Sequence, residues 1–247
     1  MIDLYDHIRM TYPADQTEIH FTGPYKTGID PQRSTVYKVW EALKKINPEL
    51  PDLYIEVEKN IPHGSGLGGG SSDAAFFALM LKDEFSLDIS TDTLSRLLGT
   101  IGADIPFFLH GPVSLVEGIG EIVTPVSFIN DFKIVLYYPG FAISTAQVYK
   151  KFDLSLTPQQ KNIIFKALLQ RGCDFEDLSN CFYNDLERVV LAQYPRFKKV
   201  RNLLERSGCQ YVQMSGSGSS FFGFYRGDIE KKILNELEGA VFYCRPL

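Results

Sequence analysis

Five of the seven residues from Gly64 to Gly70 are glycine, and Ser71, Ser72 and Asp73 follow directly, ahead of an apolar run. Glycine has the most backbone freedom to lose on folding, so such a cluster is a standing cost unless bare backbone is needed. The stretch IPHGSGLGGGSSDAA, residues 61 to 75, lies between a strand pattern and a helical pattern. A strand, a glycine loop and a helix start together make an anion site. Backbone N–H groups converge where no side chain blocks approach, and the helix dipole favours negative charge. Phosphate is the expected guest. The hydroxyls of Ser71 and Ser72 at the same helix start suit phosphate oxygens or a phosphate-bound Mg²⁺.

Two familiar phosphate motifs fit this stretch badly. The P-loop needs a lysine after its last glycine, and no lysine follows any glycine here. The dinucleotide fingerprint G-x-G-x-x-G is formally met by Gly64, Gly66 and Gly69, but a glycine-dense run matches it by chance. Its acidic partner, expected about 20 positions on at the end of a strand, falls at Glu84 in or just after a helical pattern. On the residues alone, a glycine-rich connection without a ligand stays open as well. A second chemical candidate stands in GADIPFF, where Asp104 sits at a bend between apolar segments. Such a carboxylate can take a proton from an acceptor hydroxyl, or simply shape a turn.

Composition narrows the field. The chain has 247 residues, 45% of them hydrophobic, enough for one large domain or two small ones. Its net charge is −5 with Lys and Arg scattered, which excludes the basic face a nucleic-acid partner needs. The longest apolar run, Ala74 to Leu81, is too short to cross a bilayer. The opening MIDLYDHIRM has neither a basic region nor an apolar signal core, so a cytoplasmic protein is expected. Cys173, Cys181, Cys209 and Cys244 show no metal or disulfide spacing and read as free thiols. The histidines are dispersed; His63 borders the glycine loop as a loop residue.

The elements that must position these groups are legible in part. STVYKVWEALKKI, from residue 34, spaces Val36, Val39, Trp40, Leu43 and Ile46 as a helix, with Ser34 as cap and Asn47-Pro48 as stop. LYIEVE alternates Leu53, Ile55 and Val57 against Tyr54, Glu56 and Glu58, a half-buried strand that delivers the chain to the glycine loop. A helix follows, capped by Ser71, Ser72 or Asp73. A further helix is expected near Thr91 to Ile101, a hairpin in SLVEGIGEIV, and a strand KIVLYY that stops at Pro139-Gly140. RFKKVRNLLERSG reads as a helix with Phe197, Val200, Leu203 and Leu204 inward and Gly208 as stop. YVQMSGSGSSFFGFY reads as a hairpin, DIEKKILNEL as a helix and AVFYCR as a closing strand. This interleaving predicts an α+β fold in two halves meeting near residue 130.

At this point a resemblance becomes specific. IPHGSGLGGGSSDAA resembles the phosphate-binding motif of the GHMP kinases, and its triple glycine before Ser-Ser-Asp-Ala-Ala is nearest to the family's 4-diphosphocytidyl-2-C-methyl-D-erythritol kinase branch. GADIPFFLHG, EGIGE, PGFAISTAQVY and MSGSGSSFF resemble that branch too, in the family's order. The resemblance implies a two-domain fold: an ATP-binding domain like ribosomal protein S5 domain 2 over residues 1–129, and a ferredoxin-like domain over 130–247. It implies that Pro62, His63, Gly64, Ser65, Gly66, Leu67, Gly68, Gly69, Gly70, Ser71 and Ser72 wrap the phosphates of ATP, with Mg²⁺ as companion. Asp104 would be the catalytic base. Thr145 and Tyr149 would line a cytidine pocket, and Gly216, Ser217 and Gly218 would close on the substrate diphosphate or the transferring phosphoryl group. The implied partner is a small-molecule alcohol in isoprenoid precursor synthesis, handled by a monomer or homodimer. Family members begin with a strand carrying Pro-Ala-Lys-Ile-Asn and a hairpin with Gly-Tyr-His, whereas MIDLYDHIRM resembles the segment after these. The expectation is a native protein longer at its amino end; the alternatives are a nucleotide- or metabolite-binding relative without catalysis, and a remnant that folds poorly for want of a central strand of its first domain.

Overall fold

The computed structural model describes residues 1–120, 122–127, 131–152 and 182–247. Cys173 and Cys181 lie outside the described residues. The chain forms two compact units: residues 4–63 with 68–125, and residues 1–3 and 64–67 with 126–247.

The first unit is built on a three-stranded sheet. β1 (His7–Thr11) and β2 (Glu18–Thr22) flank β3 (Tyr54–Glu58), antiparallel and parallel to it respectively. Ile55 and Val57 on β3 are fully buried, as the alternation requires, and Leu53 just before it is too. Helix α1 (Thr35–Ile46) starts where Ser34 accepts a hydrogen bond from the Tyr37 N–H at 3.1 Å, and it ends at Asn47. Its buried face of Val36, Val39 and Leu43 joins Phe77 and Leu81 of α2 (Gly69–Glu84) and Leu94 and Leu98 of α3 (Thr91–Gly99) in one core. The hairpin of β4 (Ser114–Glu117) and β5 (Ile122–Pro125) completes the unit.

The second unit carries a four-stranded antiparallel sheet in the order β7-β8-β6-β9, comprising β6 (Lys133–Tyr138), β7 (Tyr211–Met214), β8 (Phe221–Tyr225) and β9 (Ala240–Cys244). Helices α4 (Thr145–Lys150), α5 (Asp185–Gln193) and α6 (Arg196–Arg206) lie between β6 and β7 in the chain, and the short α7 (Lys231–Leu234) between β8 and β9. This strand order is that of a ferredoxin-like sheet. Phe197 and Leu204 of α6 pack with Val135 and Phe221 in its core. Cys209 and Cys244 are free buried thiols, pushed up to about 11 by burial.

Several expectations need correction. Ser71, Ser72 and Asp73 do not cap α2, because Gly68 takes the N-cap position in a left-handed conformation and the helix begins before the serines. DIEKKILNEL is helical only from Lys231 to Leu234. Glu230 offers no side-chain cap, and Ile233, Glu236 and Leu237 each bond to the carbonyl three residues back, the tighter turn of a 3-10 helix. Strands β1 and β2 had no counterpart in the sequence reading.

Candidate active site

The glycine loop leaves β3 at Lys59 and enters α2 at Gly69, so residues 62–72 do lead from a strand into a helix start. No side chain caps that start. Among the described residues, the backbone N–H groups of Gly66, Leu67, Gly68, Gly69 and Gly70 donate to no protein carbonyl. Of these, Gly68, Gly69 and Gly70 stand at the positive end of a 16-residue helix, where unspent donors suit an anion. The loop's carbonyls are spent instead. Ser65 O accepts from the Ser220 N–H at 3.0 Å, and Gly66 O accepts from the Ser215 hydroxyl at 2.9 Å. These bonds fix residues 64–67 against the turn between β7 and β8. At Gly66 the fit permits no side chain: φ is +81°, and a Cβ would lie 2.4 Å from Ser215 O and 2.8 Å from Gly218 O. His63 beside the loop is exposed, and desolvation together with the Lys59 charge pushes its imidazole pKa down.

Asp104 is exposed in the turn that the Ile105 N–H closes onto Gly102 O at 3.1 Å. It has no ion pair or hydrogen bond among the described residues. Its neighbours are anchored: Ile105 is fully buried, and Pro106 starts a 3-10 turn through Leu109. Phe108 in that turn packs at the amino end of α2, where a Cβ on Gly68 would lie 3.0 Å from its ring. Gly120 of the EGIGE segment abuts Ala103 with no room for a side chain, its Cβ position lying 2.3 Å from Ala103 O. Within the first unit, then, the GADIPFF turn is held by the hairpin and touches the helix start of the glycine loop.

In the second unit the expected substrate residues gather. Thr145 Oγ1 and Ser217 Oγ are 2.7 Å apart, and Ser144 caps α4 through the Gln147 N–H. Tyr149 shares a face of α4 with Thr145 and is 59% exposed, so it serves no core. Gly216 and Gly218 belong to the same turn as Ser217 and Ser215.

Sequence reasoning missed the groups that support this turn. Asn184, the N-cap of α5, accepts from the Leu186 N–H through Oδ1 and donates through Nδ2 to Met214 O at 2.9 Å and Gly216 O at 2.7 Å. Glu187, buried, accepts from the Met214 N–H at 2.9 Å and from Arg201 at 2.6 Å. An asparagine directly before Asp-Leu-Glu at a helix start was the available signal. In the first unit, Lys59, Asp6 and Asp73 form a buried cluster where the chain leaves β3. Its signal was also present, since Lys59 continues the inward phase of Leu53, Ile55 and Val57.

What the site can hold follows from its donors: an oxyanion such as a phosphate group suits free amides at a helix start. No group of three His, Cys, Asp or Glu among the described residues is placed to hold a metal ion on its own. No helix among the described residues is long and apolar enough to cross a membrane.

Comparison with known proteins agrees with this chemistry. Residues 34–112 match the GHMP kinases N terminal domain, and residues 164–244 match the GHMP kinases C terminal domain. A 4-diphosphocytidyl-2-C-methyl-D-erythritol kinase of Thermodesulfovibrio yellowstonii is 35% identical over 222 residues, covering 88% of this chain and 77% of the relative. One from Bacteroides fragilis is 32% identical over 243 residues, covering 97% of this chain and 85% of the relative. A crystal structure of 4-(cytidine 5'-diphospho)-2C-methyl-D-erythritol kinase superposes with a TM-score of 0.78 at 30% identity, covering 98% of this chain and 86% of that one. A homoserine kinase from Cytophaga hutchinsonii shares the fold at 14% identity, with a TM-score of 0.77 over 99% of this chain and 87% of that one.

Proposed function

The chain belongs to the GHMP kinases and is an ATP-dependent small-molecule kinase of their α+β fold; from that premise we propose that it phosphorylates a hydroxyl of 4-diphosphocytidyl-2-C-methyl-D-erythritol, with Mg²⁺ accompanying the nucleotide. In this reading residues 1–129 are the ATP-binding domain and 130–247 the second domain. Residues 62–72 hold the ATP phosphates on their free amides, and the Ser71 and Ser72 hydroxyls suit the metal that arrives with them. Asp104 accepts the proton of the substrate hydroxyl as its oxygen attacks the terminal phosphorus and ADP leaves. An exposed carboxylate without a partner among the described residues is suited to that task. Thr145 and Tyr149 receive the cytidine, Tyr149 through its exposed ring, and Gly216, Ser217 and Gly218 receive the diphosphate. Phosphoryl transfer is mostly positioning and charge stabilisation, which rigid amides provide. The protein acts in the cytoplasm in this reading.

The observation that carries the proposal is the run of amides from Gly66 to Gly70, unspent among the described residues and leading into an uncapped helix, in a chain whose 32–35% identical relatives bear that substrate's name. The test is ADP release with 4-diphosphocytidyl-2-C-methyl-D-erythritol, homoserine and mevalonate in parallel, on this chain and on a form extended at its amino end by the family's Pro-Ala-Lys-Ile-Asn segment. Turnover confined to the cytidyl substrate is expected. Nucleotide binding without turnover in both forms would establish the non-catalytic alternative, and turnover of homoserine or mevalonate would reassign the substrate.

A further inference from the structure

Lys59 is 3% exposed, and its ammonium group donates to Oδ2 of both Asp6 and Asp73, which are 2% and 5% exposed. The three come from distant places in the chain. Asp6 precedes β1, Lys59 follows β3 and Asp73 stands in the first turns of α2. The other oxygen of Asp6 accepts from the Asn60 and Ile61 N–H groups, the latter at 2.8 Å. The Lys59 backbone is pinned as well, its N–H donating to Thr22 O at 2.9 Å and its carbonyl accepting from the Tyr25 N–H at 3.2 Å. Across this cluster the two ends of the loop meet. A Cβ on Gly69 would lie 2.9 Å from the Ile61 side chain and 3.6 Å from Asp6 Oδ2.

We infer that Lys59, through Asp6 and Asp73, is the positioning residue of the nucleotide loop: it clamps the loop's departure from β3 to the first turns of α2 and so presets the amide donors for the phosphates. The inference rests on reading residues 62–72 as that loop. Three features support it. Every bond of the cluster falls on residues 59–61 or on Asp73, the segments flanking the free amides. A buried ion cluster is a weak source of net stability, because desolvation offsets its attraction and apolar side chains of equal volume often serve as well. What it does provide is geometry, since each charge-assisted bond holds its two buried partners at a fixed separation and direction. One ammonium also faces two carboxylates, and burial, with the Asp6 charge, raises Asp73 to about 7 against the pull of Lys59.

The test uses Asp73→Ala and Asp73→Asn, which both leave Lys59 paired with Asp6, so the buried charge stays balanced. Two quantities are read: the Mg-ATP dissociation constant by titration calorimetry, and amide hydrogen exchange over residues 60–70 without nucleotide. Asp73→Ala should bind ATP about tenfold more weakly and exchange faster across residues 62–70, as expected for losing one charge-assisted bond. Asp73→Asn keeps an acceptor for Lys59 and should stay within about threefold of the parent. Should Asp73→Ala not fold, the isosteric charge-free triple variant Asp6→Asn, Lys59→Met, Asp73→Asn takes its place with the same expectation. Parental affinity together with parental exchange in the unclamped variant overturns the inference. So does parental exchange alone, since the amides would then be preset without the clamp. A parent that does not bind ATP defeats the kinase reading instead, and the exchange comparison still judges the clamp.

Discussion

Substituting Gly66 by alanine isolates the fit that holds the loop in place. Its φ of +81° lies in the left-handed region, where an L residue costs about 1–2 kcal/mol. The added Cβ would also stand 2.4 Å from Ser215 O and 2.8 Å from Gly218 O, both backbone atoms of a turn that cannot rotate away. Relief requires the turn between β7 and β8 to withdraw by most of an ångström. That withdrawal breaks the Ser215 hydroxyl bond to Gly66 O and the Ser220 N–H bond to Ser65 O, now 2.9 and 3.0 Å long. Each is worth about 1 kcal/mol net, so Gly66→Ala should destabilise the second unit by about 3–4 kcal/mol. Gly140 is the control, because it lies in the same unit with φ +84° and no described residue comes within 4 Å of its Cβ position. Gly140→Ala should cost only the conformational term of about 1–2 kcal/mol. Urea unfolding followed by near-ultraviolet dichroism measures both, and ATP affinity should fall with Gly66→Ala alone. Equal destabilisation of the two variants would refute the close approach of the loop to the turn.

Asp104→Asn in the amino-terminally extended protein should keep ATP affinity and thermal midpoint while lowering kcat by about 10²–10⁴-fold, the usual range for a general base. Full turnover in that variant removes Asp104 from the mechanism. The pKa of Asp73, raised to about 7, makes the folded state the better proton acceptor. Its stabilising contribution is therefore complete below the ordinary carboxylate value of 3.8 and is lost as pH rises through about 7. His63, its pKa pushed down, works in the opposite sense below neutrality, and Lys59 and Asp6 face Asp73 in both states. The comparison is accordingly made by difference: the thermal midpoint of Asp73→Asn should gain on that of the parent from pH 5.5 to 8, and parallel curves would contradict the shift. Asn184→Ala removes the α5 cap and two bonds to the Gly216 turn, so about 3 kcal/mol should be lost together with substrate affinity, read by urea unfolding and KM. Tyr149→Ala should raise KM for the cytidyl substrate without moving the thermal midpoint, because the ring is 59% exposed.

Local signals made much of this architecture legible. Glycine density between a period-two and a helical pattern located the loop, and Ser34 and Ser90 mark helix starts that their side chains do cap. The strands β1 and β2 escaped because they are five residues each and alternate around few apolar positions; only Ile19 among their residues is buried. Their pairing with β3 is set by distant sequence rather than by their own pattern. The cap of α2 was misplaced because serine and aspartate are the usual cap residues, whereas here a left-handed glycine takes that place and leaves the amides free. Asp73 was thereby available for Lys59, a partnership that only the fold brings together. The same holds for Asn184 and Gly216, 32 positions apart and joined through one amide group.

The claim on which the rest depends is that ATP phosphates sit on the consecutive amides of Gly66 to Gly70. Titrating Mg-ATP into ¹⁵N-labelled protein and following the amide resonances tests it residue by residue. The account predicts that the signals of Gly66, Leu67, Gly68, Gly69 and Gly70 move furthest and saturate together with the calorimetric isotherm. Saturable binding that leaves those five signals in place, while resonances elsewhere move, would contradict it.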